Sequence, residues 1–247
     1  MFQKIFYVKK KSIYRVLRNF VIIGVLFGNY LQIVQSAELT LDIGSYSYRE
    51  IGRNNSFFME DKSSPFLHGI GIRDWGDDMA NPRVRNTDWM LLYTLEYSFG
   101  NIDYTSAGTG TMKKQYYKGR FESYISTNRE LGASDLLPYI GVGYRDLLDD
   151  SGFKTSSTNH LGYDRFSQYY YIPIGAIWYI SESLSLKSQY NHFIEGKQTS
   201  FLNEILPNVY YINPQNTQRL GWGIDLTLRS KFNNKWSSYG FYRSWSI

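Results

Sequence analysis

Cysteine is absent from all 247 residues, which excludes disulfides, thiolate metal sites and a cysteine nucleophile. A chain without thiols suits export into an oxidising compartment, where a stray thiol is a hazard. Histidine is scarce, with only His68, His160 and His192, and no cluster of ligating residues has metal-binding spacing. Phosphate-cradling glycine motifs are also missing, so no cofactor is expected. Long apolar runs are lacking too. The densest, Phe20 to Phe27, is broken at Gly28 and Asn29, well short of the ~20 residues a spanning helix needs. With a mean hydropathy of -0.40, a helical membrane protein is not the expected class.

Excess positive charge is missing from most of the chain, although the formal net charge is +5. Residues 1–37 hold Lys4, Lys9, Lys10, Lys11, Arg15 and Arg18 and no acid. Without these six, 21 basic residues stand against 22 acidic ones, a net charge of -1. The basic isoelectric point therefore belongs to the N-terminus, and nucleic acid is not an expected partner. That N-terminus has the three parts of a secretory signal. They are a basic start, an apolar stretch extended by Tyr30, Leu31, Ile33 and Val34, and a small-residue exit at Ser36-Ala37. Cleavage is expected after Ala37, leaving residues 38–247 as one domain; an uncleaved anchor is the alternative, because Gln35 fits the A-x-A pattern poorly and the basic region is long.

Aromatic residues are abundant: 23 tyrosines, 15 phenylalanines and 6 tryptophans. Such side chains form the girdles of outer-membrane barrels, and a closed barrel is the one non-helical fold that satisfies every backbone polar group in lipid. Alternation supports strands. From Trp89 to Phe99 the odd positions are aromatic or aliphatic, with Thr94, Glu96 and Ser98 between them; Met90 and Leu92 are exceptions. The pattern returns from Gln168 to Ile180 and from Leu220 to Arg229. It is weaker over Leu39 to Tyr48, Phe66 to Trp75, Tyr116 to Ser126, Leu137 to Leu147, Leu184 to Glu195 and Trp236 to Ile247. Ser181-Glu182-Ser183 and Phe232-Asn233-Asn234 read as tight turns, whereas 149–166 and 198–217 read as long loops facing outside the cell. The expected fold is all-β, an antiparallel up-and-down transmembrane barrel of eight to ten strands. A soluble sandwich with the same alternation is the competing fold.

Tyr139-Ile140-Gly141-Val142-Gly143-Tyr144-Arg145, Asp149-Asp150, Gly162-Tyr163-Asp164-Arg165 and Tyr169-Tyr170-Tyr171-Ile172-Pro173-Ile174-Gly175 carry a resemblance. So do Gly100-Asn101-Ile102-Asp103-Tyr104 and Phe241-Tyr242-Arg243-Ser244-Trp245. In these residues the chain resembles small proteobacterial outer-membrane β-barrel proteins of a ten-stranded, porin-like kind. The resemblance covers most of residues 39–247 and implies ten strands with no established activity. It implies one further closing strand after Phe-Tyr-Arg-x-Trp, so nine strands are expected to be an incomplete ten. An eight-stranded barrel with Phe66 to Trp75 as loop is the rival. The expected home is the cell outer membrane, with the lipid bilayer and, during biogenesis, the outer-membrane assembly machinery as partners.

The face assigned to the lumen carries Arg73, Lys118, Arg120, Arg145, Lys187 and Arg229 against Asp42, Glu96, Glu122, Glu195 and Asp225. Near-equal numbers point to an ion-paired, side-chain-filled interior, since unpaired charge in a narrow lumen is costly. Tyr169 and Tyr171 face the same interior, and Pro173 is expected to bulge its strand. The alternative is a narrow porin-like channel for ions or small solutes. Enzyme chemistry is disfavoured. No histidine stands beside or two residues from an aspartate, Asp149-Asp150 read as solvated loop charges, and Ser188 with His192 falls on the lipid-facing side. Tyr163, Asp164 and Arg165 form a loop motif that either fixes loop geometry or binds an extracellular ligand. The expected role is a non-catalytic surface barrel with a structural or binding function in its loops.

Overall fold

The computed structural model describes residues 37–76, 89–127, 136–206, 208–209, 212–233 and 235–247. The expected signal segment lies outside these residues, apart from Ala37. Twelve strands form one sheet: β1 (Ala37–Gly44), β2 (Ser47–Ile51), β3 (Phe57–Ser63), β4 (Leu67–Asp74), β5 (Trp89–Ser106), β6 (Gly110–Thr127), β7 (Leu136–Asp150), β8 (Arg165–Ser181), β9 (Leu184–Ser200), β10 (Gln215–Gln218), β11 (Trp222–Lys231) and β12 (Ser237–Ser246). Nine of them follow one antiparallel path, β1-β4-β5-β6-β7-β8-β9-β11-β12, while β2, β3 and β10 are short additions at one end. The fold is thus all-β, an antiparallel sheet curled into a half-barrel. Its curl is set by side chains that cross the concave face: Arg120 of β6 bonds Asp225 of β11, and Arg243 of β12 reaches Glu96 of β5. At the edges, Tyr239 of β12 donates to Asp42 of β1 and Ser237 to Glu38, with no main-chain ladder between these two strands among the described residues.

Alternation places the faces. On β11 the residues Gly223, Asp225, Thr227 and Arg229 are buried, whereas Trp222, Ile224, Leu226 and Leu228 are exposed, as a strand with one face packed requires. Leu67–Asp74 is a strand laddered to both β1 and β5, which overturns the reading of 66–75 as a loop. The strand expected over Leu39 to Tyr48 is broken at Ser45-Tyr46. β2 leaves the wall there to form a hairpin with β3, which rejoins β5 from Met59↔Ser106 to Ser63↔Ile102. Pro173 does not bulge β8. The register to β7 is the same on either side of it, but the ladder is interrupted between Ile140↔Ile174 and Gly143↔Tyr171, because proline has no N–H to donate. The register shift falls instead between Tyr170 and Tyr171, where the β9 partner steps from Glu195 to Phe193 and Ile194 is the additional residue.

The two tight turns stand where expected, at one end of the sheet. Asn233 accepts backbone N–H bonds from Lys235 and Trp236 at 2.8 and 3.0 Å. The opposite end carries the 151–164 and 201–214 connections, but also a three-residue turn between β5 and β6, whose 18 residues each rise beyond their neighbours. Separation into one short-turn end and one long-loop end is therefore incomplete.

Candidate functional site

The concave face is filled in layers. Nearest the tight turns, Trp75, Leu92, Tyr124, Leu137, Tyr139 and Ile177 make an apolar cluster. Leu92, an exception to the alternation, is there because this end of the interior is closed by hydrophobic contact. Cross-strand glycines make room for the rings. A Cβ on Gly143 would strike the Tyr171 ring directly opposite, and one on Gly175 would strike Tyr139.

The middle layer is ionic and brings together most of the lumen charges expected from the sequence. Glu96 accepts from Arg73 Nε at 2.7 Å and lies 2.8 Å from Arg243 Nη1, and Arg73 also bonds Asp42 at 3.0 Å. Arg120 donates to Glu122 at 2.7 Å and bridges to Asp225. Glu122 is fully buried and accepts further bonds from Tyr171 at 2.7 Å, Gln189 at 2.9 Å and Tyr124. Arg229 pairs with Glu38 and lies 5.0 Å from the Trp75 ring centroid. Glu96 and Glu122 are thereby each held by several donors, the condition under which buried charge is tolerable. The cavity left among Arg73, Glu96, Arg120, Glu122, Gln189 and Asp225 is ≈ 20 Å³, about the room of one water.

Three expected network cations are stabilised differently. Lys118 stands 4.5 Å from the Tyr46 ring, and Arg145 lies between Tyr169 at 4.6 Å and Trp245 at 4.2 Å. Lys187 donates to the Tyr124 hydroxyl at 3.0 Å and sits 4.2 Å from that ring. Electron-rich ring faces substitute for carboxylates here. Glu195 does not belong to the interior. The register shift at Ile194 turns it to the convex face, opposite the exposed Tyr170, where it pairs with Lys197 at 3.5 Å.

A second network lies under the β2–β3 hairpin. Lys114 bridges Asp61 at 2.9 Å and Asp149 at 2.8 Å, Arg165 adds to Asp149 at 2.8 Å, and Tyr116 donates to Asp61. Asp149 and Asp150 are buried at the end of β7, which corrects their reading as solvated loop charges. Strand β7 runs to Asp150 and carries them into the wall. In the loop motif, Asp164 accepts from the Gly152 N–H at 2.6 Å, the Tyr163 carbonyl from Ser151 at 2.6 Å, and Arg165 is the partner of Asp149. All three fix the 151–164 loop in place.

Ser188 and His192 are both exposed on the convex face of β9, without a bond between them. Glu38, Arg243, Lys114 and Asp61 are network members not anticipated from the sequence. Glu38 shares the register of Asp42, and Arg243 that of Tyr239 and Trp245, so alternation contained both. Lys114 lies in an extension of the strand expected from Tyr116, and Asp61 in β3, a strand that the alternation had not marked. No protein-family profile matches the chain, and no curated protein sequence matches it significantly.

Proposed function

We propose that the chain is an exported, integral outer-membrane β-barrel that conducts nothing, catalyses nothing and presents its loops to a partner outside the cell. The filled interior supports this reading, since the middle layer of paired charges leaves among its side chains ≈ 20 Å³, about the room of one water. The convex face supports the membrane placement. On β5 and β6 the outward cross-strand pairs run from Leu91↔Ile125 up to Phe99↔Tyr117, then Asn101↔Gln115, then Asp103↔Lys113. From Leu91 to Phe99 is about 27 Å along a strand, or about 21 Å at a usual barrel tilt, comparable to the ~25 Å apolar band of such proteins. Beyond that band, Ile51, Phe57, Phe58, Phe153, Leu161, Val209 and Ile212 are exposed in or beside the loops. Large apolar side chains in water are what a binding surface offers.

Planar-bilayer recording tests this reading against the narrow channel. The protein is expected to insert silently. Stable discrete conductances that vanish on neutralising Lys118 or Arg120 would establish the pore instead.

A further inference from the structure

Among the described residues, the convex face carries a hollow that the filled interior does not explain. Its volume is ≈ 320 Å³, and it is lined by Ser64, Pro65, Phe66, His68, Phe99, Gly100, Asn101, Gln115 and Tyr117. Beside it Gly100 lets the start of β4 lie close against β5, because a Cβ there would lie 2.8 Å from Leu67 Cδ2 and 2.9 Å from the Phe66 carbonyl oxygen. Aromatic groups make the lower wall. His68 and Phe99 pack with centroids 6.2 Å apart, and Phe66 and Phe99 are each 44% exposed. Amides make the upper wall. Tyr117 donates to Gln115 Oε1 at 3.0 Å, and Gln115 Nε2 faces Asn101 Oδ1 at 3.5 Å, so the Asn101 amide N–H groups are left for a ligand.

We propose that this hollow binds one outer-leaflet amphiphile with an uncharged, hydroxyl- and amide-bearing headgroup. The inference rests on the membrane reading above. The hollow lies where outward residues change from rings to amides, at the level of a bilayer's headgroups, and aromatic rings with a few convergent polar groups are the usual make-up of a small-ligand site. Below it, the exposed Ile70 and Ile72 of β4 continue an apolar track for an acyl chain. Charge selects the headgroup. No lysine, arginine, aspartate or glutamate lines the hollow. The charges next to it on the same convex face are balanced: Asp103 stands opposite Lys113 in register, and Lys62 of β3 pairs with Glu60 at 2.8 Å. A lining without charge, flanked by pairs that already neutralise each other, offers a phosphate-bearing lipid no free counter-charge.

The full chain is reconstituted in phosphatidylcholine vesicles doped with N-palmitoylglucosamine or with phosphatidylglycerol, and lipid retained after extraction is counted by native mass spectrometry. About one glucosamine lipid per chain is expected, falling about tenfold in Phe99→Ala and in Asn101→Leu and unchanged in Tyr190→Ala, a convex-face control on β9. Equal retention of phosphatidylglycerol, or equal loss in the control, shows a general lipid annulus and overturns the site. Vesicle flotation separates the two readings. A chain that floats but retains no glucosamine lipid refutes the hollow alone, and one that fails to float refutes the membrane reading with it.

Discussion

Arg120 is held by Glu122 and Asp225 while Glu96 stands 4.0 Å away, so its removal strands buried carboxylates. Arg120→Met is expected to destabilise the protein by about 3–5 kcal/mol, the usual cost of breaking a buried pair from one side. Arg49→Met, whose ion pair with Glu60 is exposed, is expected to cost under about 1 kcal/mol. Urea unfolding of the refolded protein compares them, and equal midpoints would mean that the inner network is solvated. Asp61, above the apolar band, behaves differently. Burial pushes its carboxyl above the ordinary range, Lys114 opposes that shift and Asp149 adds to it. A carboxyl raised in the folded state contributes stability that is full below its unfolded pKa and is lost as pH rises through the folded value. Amide protection in β2 and β3, corrected for intrinsic exchange, is therefore expected to be greater in mild acid than at neutral pH, and to lose that dependence in Asp61→Asn. A slope of opposite sign would refute this.

Among the elements, β11 and β9 show how far alternation could be read. Along β11 the inward set Gly223, Asp225, Thr227 and Arg229 follows from period two, and Asp225 and Arg229 lie where expected. In β9 the same rule fails after Phe193, because one additional residue at Ile194 reverses the faces and turns Glu195 outward. No local composition marks that bulge; it arises from matching β9 to β8. The β1–β2 break at Ser45-Tyr46 was marked locally only by Gly44, where β1 ends, and Tyr46 packs edge-on to Tyr116 at 5.5 Å in the interior. Outward positions give a depth test. Leu226→Arg, in the middle of the β11 apolar face, is expected to cost about 2–4 kcal/mol in a bilayer, and Asn101→Arg about 0–1 kcal/mol. Unfolding from lipid vesicles measures both, and similar costs would contradict the band assigned to β5 and β6.

At the scale of the whole molecule, the fold unites an interior of paired charges and buried rings with a convex face whose exposed positions include Leu41, Ile140, Val142, Trp178 and Ile194. Under the membrane placement proposed above, these side chains would form the lipid-facing wall; in the competing soluble sandwich they would face water. Sequencing the membrane-extracted protein is expected to begin at Glu38; recovery of residues 1–37 would make that segment an anchor. The sequence by itself determined the strand class, the two faces of most strands and the balance of inward charge, because side-chain alternation is a local property of extended chain. Only the tertiary structure decided which charges meet, that Lys118, Arg145 and Lys187 face rings, and that Asp149 is buried. Those outcomes depend on strand register and sheet curl, which bring together residues as distant in the chain as Arg120 and Asp225, or Glu38 and Arg229.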